Sequence, residues 1–171
     1  MNFAIGFFFF LAGVRHLAQM FPNIIFLIKP HNAGMWLTGH YKGEQPEASN
    51  LMVADPKQPF WASVSAPQLL GRLSAVITTP STVAFDAARI ELPVAVVAHG
   101  LALENYAPLQ LIEKLDDWCA FVKQVLDDSQ KEKLKNTDRE FVGSVSLAGD
   151  AAARIADDVM AHKSKMNLKN V

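Results

Sequence analysis

At 171 residues, half of them apolar, the chain has material for one domain with a sizeable core and is not disordered overall. Its 16 basic and 17 acidic residues nearly cancel to a net charge of −1 and are interspersed, which leaves no electrostatic footprint for nucleic acid. The single cysteine, Cys119, permits no internal disulfide and has no ligand cluster beside it, so helix packing in a reducing, cytoplasmic setting is the expectation.

Residues 1–22 read as an apolar N-terminal segment built on FAIGFFFFLAGV, Phe3 to Val14. A run of about a dozen residues is too short for a bilayer, and no Lys or Arg precedes it as a signal peptide requires. One reading is a single helix through Phe21, stopped by Pro22; the other is a strand over Ile5–Phe10, a turn at Gly13 and a short helix. The spacer at Gly13 is short for a strand-to-helix turn, which favours the helix. Lacking a polar face and a Lys/Arg rim, the run predicts at most peripheral contact with the inner face of a membrane.

Asn23–His31, NIIFLIKPH, predicts a central parallel strand covered on both faces, since five consecutive apolar residues suit burial on two sides. Lys29, Pro30 and His31 then fall at its carboxyl end, where open α/β sheets bind ligands. An imidazole there can donate to, or pair with, a phosphate oxygen; an exposed loop histidine accounts for His31 equally well. Residues 32–50 read as a polar surface loop with His40, Tyr41 and Lys42 exposed. Leu51–Ala54 is the next strand. Lys57–Pro67 reads as a loop whose pair Phe60 and Trp61 either stacks on a base or sugar or caps the edge of the core. Ala66–Leu73 is a short helix started by Ser65 with Pro67 in its first turn.

Ser74–Gly100 carries the sharpest signal. Ala75–Thr78 is a β-branched, buried-strand run, Thr79-Pro80-Ser81-Thr82 stops it, a helix runs from about Thr82 to Ile90, and Val94–Val97 is the following strand. Within one sheet this order requires a right-handed parallel crossover. A helix starting at the carboxyl end of a parallel strand aims unpaired amides and its dipole at the ligand crevice, so phosphate is the expected guest. Hydroxyls on Thr79, Ser81 and Thr82 can add donors; Ser81 and Thr82 acting only as caps is the competing reading. His99 and Gly100 follow the next strand at the same edge, with Gly100 permitting close backbone approach.

Beyond it, Leu109–Leu115 and then Asp116–Leu126 read as helices, the second packing Trp118, Phe121, Val122 and Val125. Asp127–Arg139 is a solvated charge run, a connector or an exposed helix face. Phe141–Val145 is helical, a final helix runs from Gly149 to about His162 with Ala152, Ile155, Ala156 and Val159 on its apolar side, and 163–171 is a polar tail. No repeat, metal-ligand spacing, glycine-rich dinucleotide fingerprint, P-loop or Ser/His/Asp set is present in the sequence.

TTPSTVAFDAARIELPVAVV resembles the segment TDYSSVAFDAALLGKPVI of the CDP-glycerol glycerophosphotransferase family and related capsule or lipopolysaccharide glycosyltransferases of GT-B type, and NIIFLIKPH resembles their strand ending in K-P-H-P. The family's Asp before the turn corresponds to Thr79 here and its second proline to Asn32. The resemblance covers about residues 23–161, the donor-binding half of such an enzyme. It implies an α/β, Rossmann-like, mostly parallel sheet flanked by helices over residues 23–162, half of a GT-B fold. It also implies a nucleotide-diphosphate donor bound as substrate; no separate cofactor and, from the missing ligand spacing, no metal is expected. Lys29, His31, Thr79, Ser81, Thr82, His99, Gly100 and, more loosely, Glu104 with Asn105 are then the donor-binding residues, and no catalytic residue is assigned. The first strand of such a domain is absent or replaced by FAIGFFFFLAGV. The expected activity is transfer of a nucleotide-activated sugar or polyol phosphate in cell-surface polysaccharide synthesis, with an N-terminal acceptor domain or a second copy as partner. The alternatives are a noncatalytic nucleotide-binding remnant and a structural α/β interaction domain.

Overall fold

The computed structural model describes residues 3–30, 37, 47–98, 100–146, 156 and 160. The expectations for His31, for most of the 32–50 loop including His40, Tyr41 and Lys42, for His99, and for most of the final helix and the tail lie outside the described residues.

The elements run α1 (Phe3–Met20), β1 (Phe26–Ile28), β2 (Leu51–Val53), α2 (Pro59–Ser63), α3 (Ala66–Leu70), β3 (Val76–Thr78), α4 (Val83–Ala88), β4 (Val94–Val97), β5 (Gln110–Ile112), α5 (Leu115–Leu126) and α6 (Asp128–Val145). Every strand pairing is parallel: β1 with β2, and β3-β4-β5 in that order with β4 central. The fold is mixed α/β and Rossmann-like, parallel sheets flanked by helices. No helix among the described residues is long and apolar enough to cross a membrane.

β4 explains the layering. All four of its residues, Val94-Ala95-Val96-Val97, are buried. Successive side chains of a strand point to opposite faces, so Ala95 and Val97 join one apolar cluster with Leu11, Ile112 and Trp118, while Val94 and Val96 join another with Ala84, Ala87 and Phe141. The first cluster is the α1/α5 side and the second the α4/α6 side. The buried alanines at 84, 87 and 88 let α4 lie close on the sheet.

The N-terminal run is a helix from Phe3, and it belongs to the first cluster. Leu11, Val14, Leu17 and Ala18 form its buried stripe at helical spacing. Gly13 faces the fully buried Trp118, and a Cβ there would overlap the indole. Phe9 and Phe10 meet the same indole edge-on, with ring centroids 6.2 and 5.4 Å away. Cys119 is buried beside it, and burial pushes its thiol pKa up, which suits packing and not reactivity. The end of α1 is tied down by Asn50, whose side-chain amide lies 3.1, 3.1 and 2.9 Å from the carbonyl oxygens of Ala18, Phe21 and Ile24. Ala18 lies in the last turn of α1, where a helix end leaves carbonyls without intrahelical partners.

Three expectations change. β1 is not a central strand covered on both faces: it spans three residues, pairs only with β2 among the described strands, and leaves Ile25 73% exposed. Phe26 and Ile28 face the first cluster with Leu51 and Val53, so the five-residue apolar run is buried on one side only. Leu109–Leu115 is not a helix. Gln110–Ile112 pairs with β4 in register, Val97 opposite Ile112, because the second edge of a buried central strand must find a partner for its amides and carbonyls. In the 57–67 stretch, Pro59–Ser63 forms a short helix with no buried residue, and Phe60, 67% exposed, does not cap the core; Trp61 meets it edge-on at 4.9 Å. The charge run after Asp127 is the first part of α6. The Asp127 carboxylate accepts the Ser129 hydroxyl and the Gln130 and Ser129 amides, which holds its pKa down and starts the helix.

Candidate functional site

Three parallel strands in register deliver their carboxyl ends to one edge. Thr78 closes β3 opposite Val96, and Val97 closes β4 opposite Ile112, so the turn Thr79–Thr82 and the turn beginning at Ala98 emerge side by side. These are the two turns in which sequence placed Thr79, Ser81, Thr82 and Gly100.

Inside the first turn the hydroxyls are partly committed. Thr78 Oγ1 donates to the Thr79 carbonyl oxygen at 2.9 Å and lies 3.1 Å from Ser81 Oγ. A hydroxyl has one proton, and that of Thr78 is used on Thr79, so Ser81 is the donor to Thr78. Ser81 therefore offers lone pairs to its surroundings and not the added donor expected of it. Thr82 stands at the N-cap of α4 with helical φ −63° and ψ −17°, and its side chain makes no capping bond. Capping by Ser81 or Thr82 is not observed. The amides at the start of α4 have no side-chain cap, and Thr79, Pro80 and Thr82 are exposed beside them. Asp86 is the acidic residue in the helix's first turn.

The second turn is closed by the Leu101 amide donating to the Ala98 carbonyl at 2.9 Å, with Gly100 at φ 78°. That left-handed backbone is the reason for glycine at this position. Glu104 is exposed at the start of a short 3-10 turn, Glu104–Tyr106, and Tyr106 stacks on Phe141 with centroids 6.3 Å apart, which anchors this stretch to the second cluster. Asn105 is exposed beside it. Lys29 follows the carboxyl end of β1, in the two-stranded sheet and not in the sheet that carries the other turns. Of the nine residues expected to bind donor, the β3-β4-β5 edge gathers Thr79, Ser81, Thr82 and Gly100, with Glu104 and Asn105 on the segment leading away from it.

The third strand end at this edge differs. There the Asp117 carboxylate accepts the amides of Glu113 and Lys114, each at 3.0 Å, so the entry to α5 fills its own polar groups.

Sequence reasoning missed a feature at the opposite edge. Asp138, 1% exposed on α6, lies against the Val94 backbone amide at the start of β4, and its Oδ2 has no hydrogen-bond partner. Burial pushes its pKa up to about 7. The signal was present: Leu134, Asp138, Phe141 and Val142 share the spacing of an apolar helix face, with a carboxylate in the stripe. Next to it, Arg139 pairs with Glu91 at 2.8 Å, and Glu91 holds φ 55° in the turn from α4 to β4. No group of three or more His, Cys, Asp or Glu side chains among the described residues is arranged to hold a metal ion.

No family model, curated protein sequence or solved structure matches this chain.

Proposed function

We propose that the chain is a GT-B-like donor-binding module that takes a nucleotide-activated sugar or polyol phosphate at the carboxyl edge of β3 and β4, for transfer onto a cell-surface polysaccharide. The observation that carries this reading is the uncapped start of α4 beside the Gly100 turn, on an edge whose neighbouring helix entry is already filled by Asp117. The donor diphosphate lies against the α4 amides and the hydroxyls of Thr79 and Thr82. Ser81 holds the turn through Thr78. Gly100 lets the nucleotide approach the β4 end, and Glu104 takes a sugar or ribose hydroxyl. Lys29, His31 and His99 supply positive charge or hydrogen bonds to the phosphates. In the transfer step these groups offset the charge that gathers on the leaving diphosphate, while the acceptor and the base come from an N-terminal acceptor domain or a second copy. The work is done on the cytoplasmic side, with contact at the inner membrane face at most peripheral.

Melting curves with CDP, UDP and CMP test the reading. A diphosphate at about a hundred times its Kd adds about 2.7 kcal/mol to folding stability, a rise of about 5–10 °C for a domain of this size. CMP, one phosphate shorter, gives a smaller shift. Thr82→Asp sets a carboxylate where the phosphate belongs and abolishes the rise. A melting point indifferent to both diphosphates, or a rise that survives Thr82→Asp, removes the reading.

A further inference from the structure

We propose that the cavity at the amino edge of the three-stranded sheet is a second binding site, for a small organic anion with an apolar body, held by Lys131 and Lys135 of α6. The cavity measures about 320 Å³, the lower end of the range for small-molecule sites. Its location is fixed by Ser74, just ahead of β3, and Pro93, just ahead of β4, so the length of the strands separates it from the Thr79–Thr82 turn. The inference is therefore independent of the nucleotide reading.

The chemistry follows from the walls. Leu70, Leu73, Ile90 and Leu92 contribute apolar atoms to the lining, and Ile90 keeps 53% of its surface exposed. Lys131 and Lys135 are one helical turn apart and stand together on the α6 wall. Their stems extend the apolar surface and their ammonium groups place two positive charges at one side of it. The acidic lining residue, Glu91, is engaged by the Arg139 guanidinium at 2.8 Å, so its charge is largely answered. Lys135 pairs with Glu132 at 3.3 Å, but that pair is exposed and an incoming anion replaces it at little cost. An open depression of mixed polar and apolar lining, with two lysines along one wall, favours a phosphate or carboxylate carried on a ring or short chain over a cation. Beside Gly71 the wall is open, with no atom near the position a Cβ would take, which leaves room for the apolar body.

Nitrogen–proton correlation spectra of the full chain titrated with phenyl phosphate, inorganic phosphate and phenol test the proposal. Phenyl phosphate should move the amides of Gly71, Ser74, Glu91, Lys131 and Lys135 in a saturable way, and bind at least about tenfold more tightly than either fragment. Lys131→Gln with Lys135→Gln should weaken phenyl phosphate by about tenfold or more while leaving phenol within about twofold. If that double variant melts early, Ile90→Glu carries the test: it lies at a half-exposed position, sets a carboxylate on the rim, and should abolish phenyl phosphate binding. Inorganic phosphate binding as well as phenyl phosphate, unchanged affinity in the lysine or Ile90→Glu variant, absence of saturable shifts, or shifts centred on Thr79–Val83 instead would each overturn it.

Discussion

The two edges of the β3-β4-β5 sheet are built to different standards. At the amino edge α6 is stitched to the strand starts: Asp138 is buried against the Val94 amide, Arg139 reaches Glu91, and Phe141 fills the cluster behind β4. At the carboxyl edge the turns protrude, Thr79, Pro80, Thr82 and Gly100 are exposed, and the α4 start carries no cap. The difference lies in what each edge commits to the sheet: Asp138 and Arg139 tie α6 to the strand starts at the amino edge, while Thr79, Pro80, Thr82 and Gly100 stay exposed at the carboxyl edge. Changes at Asp138, Arg139 or Phe141 should show in stability, and changes in the carboxyl-edge turns in the proposed nucleotide binding.

The largest test is pH. A carboxyl whose folded pKa is raised to about 7 from 3.8 stays protonated in the folded chain where the unfolded chain has already lost its proton. Stability is then fullest below about pH 4, declines as pH rises toward 7, and is level above it. Three pKa units correspond to at most about 4 kcal/mol. Urea unfolding at steps between pH 4 and pH 8 should show that decline, and Asp138→Asn should flatten it and be the more stable protein at pH 8. A flat profile in the unaltered chain would mean that the amino edge is not strained by its buried carboxyl.

Asp117→Ala comes next. It strips two amides at the α5 entry of their acceptor and should cost about 1–2 kcal/mol in denaturant unfolding, since here the carboxyl edge behaves like the amino one. Gly100→Ala should cost about 1 kcal/mol, the penalty of a side chain at φ 78°, and should weaken nucleotide binding by crowding the edge. Smallest in stability is Thr82→Asp, expected within about 0.5 kcal/mol of the unaltered chain because Thr82 makes no capping bond to lose. If it destabilised the fold by much more, the α4 start would be structural and the contrast between the edges would fail.

How much of this was legible follows from where local signals and tertiary demands agree. The β3–α4–β4 unit could be read because a β-branched run, a proline-bearing turn and an alanine-rich helix punctuate it without ambiguity. β5 could not, since LQLIEKL is too short for either period to show, and its state was decided by the open side of β4. β1 was over-read for the converse reason: five apolar residues say that burial is wanted, not that a second layer arrives to supply it. At the site, the turn was found from its residue types, but the proton given by Ser81 to Thr78 depends on a geometry that no spacing encodes. Asp138 lay in view within a helical stripe, hidden among the charges around it.

Asn50 ties the end of α1 to the smaller sheet through polar contacts. Its side chain closes the end of α1, its carbonyl accepts the Phe26 amide at 2.8 Å, and the next residue opens β2. One residue thus joins the N-terminal helix and both strands of the smaller sheet into a single cooperative unit. The slow-exchanging amides of α1, β1 and β2 should therefore open to deuterium together, as one sub-global event, and not as a helix that frays while the sheet persists.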